Sequence, residues 1–148
     1  MGKSCKAKRE QLRGVSVLVV EDEFIVSLTL KVQLEAMGCQ VVDTVRDAAT
    51  ALRQARELRP DVVLMDIGLS GSDGIEATQA IMQQVPTQVI VVTAYGDDRV
   101  QQAIQAGARL ALTKPIIEEQ LAQAIAEVTA DRFTPPSRGG TGIDGGSQ

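Results

Sequence analysis

The stretch DVVLMDIGLSGSDG, residues 61–74, decides the fold of this chain. It begins with a short apolar run, Val62–Met65, which is typical of a strand buried on both faces of a sheet. Asp66 follows that run at once, and Asp73-Gly74 then has the pattern of a helix start. The stretch therefore predicts a buried strand, a polar loop and a helix, in that order.

The same alternation continues on both sides of this stretch. Strict alternation of strands and helices gives right-handed crossovers and a parallel sheet. We predict an α/β chain with a flavodoxin-like (βα)5 fold, a doubly wound parallel sheet in the strand order 2-1-3-4-5. The predicted strands β1–β5 are Val15–Val20, Val41–Val45, Val62–Met65, Val89–Val92 and a weaker Leu110–Leu112, and the predicted helices α1–α5 are about 23–37, 47–58, 73–84, 97–106 and 117–130.

Residues with known effects on helix ends mark these boundaries. Gly38 and Gly107 are expected just beyond the ends of α1 and α4, where a left-handed backbone favours glycine. Asp47 is expected to cap the start of α2, and Pro60 and Pro86 to stop α2 and α3.

Composition narrows the class of protein. The 148 residues are 44% hydrophobic but only 2% aromatic, so the core must be aliphatic. There is no histidine, and the two cysteines form no CxxC pair, which argues against a zinc site. We expect Cys39 to be a buried thiol and Cys5 an inconsequential one. No apolar run is long enough to span a bilayer, and the start lacks a secretory signal, so we expect a cytoplasmic protein without membrane contact.

Charge divides the chain into parts. Residues 1–13 hold five Lys/Arg and one Glu, a net charge of +4. Because the whole chain has a net charge of −4, the remaining residues carry −8. An acidic body argues against nucleic-acid binding as the main role. We expect a basic disordered tail over 1–13, one folded domain over 14–131 and a Gly/Pro-rich disordered tail over 132–148, with no second folded domain.

Polar residues follow four of the predicted strands. The acidic run EDE, residues 21–23, follows β1, Asp66 follows β3, Thr93 follows β4 and Lys114 follows β5. The carboxyl ends of parallel strands share one edge of the sheet, so we expect these side chains to meet there.

Clustered carboxylates repel one another unless a cation neutralises them, and oxygen ligands without Cys or His favour Mg²⁺. We expect Asp22 and Asp66 to bind it directly, Glu21 through a water, and a backbone carbonyl near Gly68 to complete the protein's share. A carboxylate beside Mg²⁺ and Lys114 can attack phosphorus and form an aspartyl phosphate.

This constellation resembles the receiver domain of two-component response regulators over about residues 14–130. The similar motifs are VLVVEDE at 17–23, DVVLMDIGLSGSDG at 61–74, VIVVTAYGD at 89–97 and GARLALTKPI at 107–116. The resemblance implies that Asp66 is the phosphoacceptor, Thr93 the switch hydroxyl and Lys114 the phosphate-contacting lysine. It also implies a cis bond between Lys114 and Pro115.

The resemblance further implies a signalling switch with Mg²⁺-dependent autodephosphorylation, rather than a turnover enzyme. A sensor histidine kinase or a histidine phosphotransfer protein would donate the phosphoryl group, in trans because the chain has no histidine. A downstream protein would bind the α4–β5–α5 surface, around Arg99–Gln105 and Leu110–Leu121. We expect output through protein contacts, as in a stand-alone receiver.

The predicted helix α1 carries two apolar stripes. Family resemblance assigns the first, Val26, Leu30, Leu34 and Met37, to the sheet. We hypothesise that the second, formed by Ile25, Leu28, Val32 and Ala36, docks the phosphodonor's helices or a homodimer partner. The alternative is burial of this second stripe against α5.

Several positions depart from the family pattern. Glu21 replaces the commoner Asp, Ser70 stands where Pro is usual, and Ala111 replaces the Tyr or Phe whose ring moves with the switch hydroxyl. Tyr95, two residues after Thr93, is the candidate substitute for that ring.

Two rival functions share parts of this pattern. One is a pseudo-receiver, a phosphorylation-independent interaction module. Retention of the five site residues argues against it. The other is a phosphatase of the haloacid dehalogenase type, which needs a second Asp where this chain has Gly68.

Overall fold

The computed structural model describes residues 12–69, 73–94 and 96–130. In this part of the chain, five parallel strands form one sheet in the order β2-β1-β3-β4-β5, which confirms the predicted flavodoxin-like fold. The strands are β1 Ser16–Val20, β2 Gln40–Val45, β3 Val62–Asp66, β4 Gln88–Thr93 and β5 Leu110–Thr113. The helices are α1 Phe24–Ala36, α2 Ala48–Leu58, α3 Gly74–Gln84, α4 Val100–Gln105 and α5 Glu118–Val128.

The register of the sheet brings the carboxyl ends of the central strands level. Val20 pairs with Met65, Asp66 pairs with Val92, and Thr93 pairs with Thr113. The residues that follow β1, β3, β4 and β5 therefore emerge along one edge of the sheet, as predicted from the topology.

The core has two layers, one on each face of the sheet. Side chains alternate along β1, so that Leu18 and Val20 join the layer under α2, α3 and α4. Val17 and Val19 join the other layer, under α1 and α5. All four are fully buried, or within 1% of it. Burying a large aliphatic side chain contributes roughly 1.5–3 kcal/mol, so these two aliphatic layers hold the helices against the sheet.

Unlike β3, whose apolar run indicated burial on both faces, β2 and β5 are only partly buried. Val41 and Val42 are only half-buried, and Thr44 and Thr113 are exposed. These two strands are the edges of the sheet, so each has a single neighbouring strand to pack beside.

The helix ends confirm the predicted boundary residues. Gly38 and Gly107 have φ angles of 97° and 118°, beyond the ends of α1 and α4. The Asp47 carboxylate accepts a hydrogen bond of 2.8 Å from the backbone N–H of Thr50. Pro86 follows Val85, the C-cap residue of α3.

The predicted start of α4 at residue 97 is wrong. The helix begins at Val100, because residues before it form a turn. The Asp97 N–H donates to the Ala94 carbonyl at 3.1 Å, and the Asp97 carboxylate accepts from the Arg99 N–H at 2.9 Å.

The folded part starts earlier than residue 14. Leu12 is completely buried in the core, and its carbonyl accepts a hydrogen bond of 3.0 Å from Val15. The expectations for Cys5, Ser70, Tyr95 and the rest of both tails lie outside the described residues. Within the described ranges, every helix is too short or too polar to cross a bilayer.

Candidate functional site

Lys114 is the centre of a charged cluster at the predicted edge of the sheet. Its Nζ lies 3.1 Å from Asp66 Oδ2, to which it donates a hydrogen bond, and 3.2 Å from Glu21 Oε1. The exposed Glu23 approaches from outside, with its Oε1 at 3.6 Å from the same Nζ. Asp66 and Glu21 are nearly inaccessible, at 5% and 2% exposure. The structure therefore brings together three of the predicted site residues, with Glu23 of the same acidic run beside them.

Local backbone contacts hold the Asp66 carboxylate in place. The Gly68 N–H donates a hydrogen bond of 2.7 Å to Asp66 Oδ1, which leaves Oδ2 facing Lys114. The start of α3 presses on the end of β3, because a Cβ at Gly74 would lie 2.6 Å from the Asp66 carbonyl oxygen and 2.7 Å from Ile67 Cα. Glycine at position 74 is thus required for the close approach that supports Asp66.

The lysine is also positioned by its own backbone. The Lys114 N–H donates to the Thr93 carbonyl at 2.8 Å, which joins the end of β5 to the end of β4. The Lys114-Pro115 bond is cis, as the resemblance implied.

Burial gives the cluster unusual electrostatics. Desolvation, together with the nearby Asp66 carboxylate, raises the pKa of Glu21 to about 7, against the opposing effects of the Glu23 N–H and Lys114. Burial alone would lower the pKa of Lys114, but its hydrogen bond and charge contact with Asp66 outweigh burial, so that this pKa is raised. The lysine is therefore charged while the carboxylates around it still repel one another.

The acidic residues have the chemistry and the spacing of a cation site. One carboxylate oxygen from each of Glu21, Asp22 and Asp66 lies within 4.8 Å of the others. Glu21 Oε1 is buried without a hydrogen-bond partner among the described residues, although it lies in ion-pair range of Lys114. An oxygen-only donor set with a partly unsatisfied carboxylate fits a hard divalent cation such as Mg²⁺.

A cavity of about 280 Å³ opens over this cluster. Its walls include two residues that the sequence analysis did not assign to the site, Asp97 and Arg99, although both lie in or just beyond the motif VIVVTAYGD. The cavity is lined by Asp22, Glu23, Asp66, Gly68, Ala94, Asp97, Arg99 and Lys114.

Thr93 lies at the end of β4 but does not point its hydroxyl at the acidic cluster. Its buried Oγ1 donates a hydrogen bond of 3.0 Å to the Ala94 carbonyl. Among the predicted site residues, Thr93 is thus placed near the cluster by its backbone but has its hydroxyl engaged elsewhere.

The second apolar stripe of α1 is exposed beside the site. Ile25 is 69% exposed, Val32 58% and Leu28 46%, and Phe24, which the sequence analysis did not include, is 74% exposed. The predicted alternative, burial of this stripe against α5, is therefore wrong for these side chains. We call Phe24, Ile25, Leu28 and Val32 the α1 patch.

An apolar groove of about 390 Å³ adjoins the α1 patch at Ile25 and extends to Lys114 of the charged cluster. Lys114 lines this groove as well as the acidic cavity. The groove is lined by Ile25, Val26, Thr29, Leu30, Gln33, Lys114, Pro115 and Ile116.

Comparison with known proteins gives a consistent result. The response regulator receiver domain model matches residues 17–126. The response regulator GacA of Pseudomonas aeruginosa is 38% identical over 126 residues, which cover 82% of this chain and 59% of that protein. A protein-glutamate methylesterase/protein-glutamine glutaminase of Haloarcula marismortui is 33% identical over 147 residues, 90% of this chain and 40% of that protein.

A solved structure shows the same architecture. The response regulator domain of Thermotoga maritima CheB superposes with a TM-score of 0.70 at 32% identity, and covers 84% of this chain and 100% of that one. The two relatives compared by sequence are longer proteins, of which this chain spans between 40% and 59%.

The strand order and the acidic edge with its lysine place the protein in the flavodoxin-like class, among receiver domains. The match over residues 17–126 makes the assignment specific: the chain belongs to the response regulator receiver domain family of two-component signalling.

Proposed function

We propose that this chain is a phosphorylation-dependent switch that accepts a phosphoryl group on Asp66. The observation that carries the proposal is the buried Asp66 carboxylate with Lys114 Nζ at 3.1 Å and two further carboxylates beside it. A nucleophilic carboxylate needs positive charge around the incoming phosphoryl oxygens, and Lys114 supplies part of it. A Mg²⁺ ion held by Glu21, Asp22, Asp66 and the Gly68 carbonyl would supply a further part.

The proposed step is a phosphoryl transfer with a simple balance. An oxygen of Asp66 forms a bond to phosphorus while the bond from phosphorus to a donor imidazole nitrogen breaks, and the donor histidine leaves with the electron pair. Reset needs water, which attacks the same phosphorus, releases inorganic phosphate and restores the Asp66 carboxylate. In this proposed cycle the protein returns to its starting state. It therefore acts as a switch and not as an enzyme that turns over a substrate.

Thr93 has a proposed role as the residue that senses the phosphoryl group. To donate a hydrogen bond to a phosphoryl oxygen, its hydroxyl must leave the Ala94 carbonyl, to which it is now bonded at 3.0 Å. This exchange would change the β4–α4 loop, which leads into the α4–β5–α5 surface proposed for a downstream protein. Ala111 cannot supply the aromatic ring that usually moves with the hydroxyl, so the loop itself must carry the change.

We propose that the α1 patch docks the phosphodonor, a histidine kinase or a histidine phosphotransfer protein. The patch is apolar and exposed, and it is continuous with a groove that shares Lys114 with the acidic cavity. A helix packed there would lie beside the opening through which a phosphohistidine must reach Asp66. The alternative is that a second copy of this chain binds the same patch and forms a homodimer. We also propose that the protein is cytoplasmic, where it would meet such a phosphodonor.

Acetyl phosphate tests the proposed chemistry without any partner. The protein is incubated with acetyl phosphate and Mg²⁺, and its intact mass is measured. We expect an increase of one phosphoryl group in the wild type and none in Asp66→Asn, while Asp43→Asn, a carboxylate of β2 away from the site, behaves as the wild type. A wild-type protein that gains no mass would favour the phosphorylation-independent interaction module instead.

The docking proposal needs a protein donor. Phosphotransfer from a panel of purified, labelled histidine phosphotransfer proteins is compared for the wild type and for Ile25→Ser/Val32→Ser. We expect the double variant to lose transfer from protein donors while acetyl phosphate still labels it normally. Equal transfer to both proteins would contradict docking on the α1 patch, and sizing of the unmodified wild type would show whether a dimer covers it.

A further inference from the structure

The acidic cavity is lined by a second positively charged side chain, Arg99, which has no role in the phosphoryl transfer proposed above. Among the described residues that line it, Lys114 and Arg99 carry positive charge, against the carboxylates of Asp22, Glu23, Asp66 and Asp97. Lys114 is engaged with the buried cluster. Arg99 stands apart from that cluster, on the loop between β4 and α4.

Asp97 holds Arg99 in a defined position. The Asp97 carboxylate accepts three hydrogen bonds from this one residue: from its backbone N–H at 2.9 Å, from Nε at 3.1 Å and from Nη2 at 2.9 Å. The contact ties the guanidinium to the turn that precedes α4, so that the side chain does not sample the many rotamers of an unconstrained arginine. The same hydrogen bonds lower the pKa of Asp97 and raise that of Arg99, which keeps both groups charged.

The guanidinium retains donors for a further anion. It has five N–H groups, of which two donate to Asp97 according to the hydrogen bonds of the described residues. Its side chain is 40% exposed while it lines the cavity over Asp66, so solvent and a bound anion can both reach it. A planar guanidinium fits phosphate oxygens in pairs, which a lysine ammonium does not.

We propose that Arg99 is a second cationic contact for the phosphoryl group as it arrives at Asp66, and that Asp97 is the positioning residue for it. The inference rests on the proposed function of Asp66. Lys114 is close enough to act on the oxygens beside the nucleophile. Arg99, at the wall of the same cavity, acts on a phosphoryl donor before transfer and so strengthens its binding.

The test measures the initial rate of phosphorylation against the concentration of acetyl phosphate, at constant Mg²⁺. We expect Arg99→Ala to raise the half-saturating concentration about tenfold, the effect of losing one charge-assisted hydrogen bond, with a smaller effect on the maximal rate. Arg99→Lys keeps the charge but loses the paired N–H donors of the guanidinium, and Asp97→Asn holds the guanidinium less firmly. Each variant should raise the half-saturating concentration by about threefold. Arg109→Ala removes one positive charge from an exposed turn away from the cavity, and it should leave the half-saturating concentration unchanged.

Each outcome separates this inference from the proposed function. A wild type that is not phosphorylated at all contradicts the proposed function. If the wild type is phosphorylated and Arg99→Ala has the same half-saturating concentration, the role of Arg99 is overturned and the proposed function of Asp66 stands. If Arg99→Ala lowers only the maximal rate, in step with a lower thermal midpoint that Arg99→Lys also shows, Arg99 has a structural role and the inference is overturned as well.

Discussion

Lys114 Nζ and Asp66 Oδ2 lie 3.1 Å apart, although 48 residues separate them in the chain. The pair spans two strands of the sheet that are not neighbours, since β4 lies between β3 and β5. Asp66 is the last residue of β3 and Lys114 directly follows β5, so the contact depends on parallel strands of matched register rather than on any local motif. It is the contact from which the predicted chemistry follows.

Replacing the lysine tests its charge. We expect Lys114→Met to slow phosphorylation by acetyl phosphate about a hundredfold, because the transferring oxygens lose a fixed cation. Lys31→Met, an exposed lysine on α1, provides the control for the loss of one positive charge. Initial rates from intact mass decide the matter, and a Lys114→Met rate close to the Lys31→Met rate would contradict the assigned role.

Gly74→Ala tests the close approach of α3 to β3. A methyl group at this position would lie 2.6 Å from the Asp66 carbonyl oxygen, so the backbone must move, and we expect a loss of about 1–3 kcal/mol in the free energy of unfolding. Gln79→Ala, at an exposed position of the same helix, should change it by less than about 0.5 kcal/mol. Urea unfolding measures both, and an unchanged midpoint for Gly74→Ala would show that the contact is relaxed.

The helix cap at Asp47 predicts a pH dependence. Hydrogen bonds from Thr50 lower the pKa of Asp47 in the folded protein, so its contribution to stability is complete above the pKa of the unfolded chain. It is lost as the pH falls through the lower, folded-state pKa. We expect Asp47→Ala to cost about 1 kcal/mol at neutral pH and less in acid.

Asp47→Asn separates the cap from its charge. Asparagine also caps helices but does not titrate, so this variant should retain much of the cap without that pH dependence. Urea unfolding at several pH values is the measurement. A cost of Asp47→Ala that stays constant down to the most acidic pH would show that the carboxylate charge contributes nothing.

The buried thiol predicts slow alkylation. Desolvation raises the pKa of Cys39 to about 11, and the residue is 6% exposed, so little thiolate is present or reachable near pH 8. In a Cys5→Ser background, iodoacetamide should modify Cys39 far more slowly in buffer than in urea. Equal rates in the two conditions would mean that the folded protein opens readily around α1.

Much of the site was predictable from sequence because its residues lie at the carboxyl ends of strands, whose positions the topology determines. The periodicity of the apolar runs gives the topology, and the topology places Glu21, Asp22, Asp66 and Lys114 at one edge. Helical spacing also separates the two apolar stripes of α1, because it decides which side chains share a face. Spacing did not decide which stripe faces the sheet, which the family resemblance implied, nor whether the second stripe is exposed or buried against α5.

Side-chain directions in loops were not predictable in this way. The Thr93 hydroxyl turns to the Ala94 carbonyl, and the Asp97–Arg99 contact delays the start of α4; both depend on turn geometry that apolar periodicity does not encode. The exposed edges at β2 and β5 follow from strand order rather than from composition, and an apolar run reads the same at an edge as at the centre.

Locating the transferred group tests the central claim most directly. After incubation with acetyl phosphate and Mg²⁺, borohydride reduces an acyl phosphate to an alcohol, which converts a phosphorylated aspartate to homoserine, and peptide mass spectrometry identifies the position. We predict homoserine at position 66 alone, and none when EDTA removes the metal. Modification at another residue, or modification of Asp66 that persists unchanged in EDTA, would contradict the account.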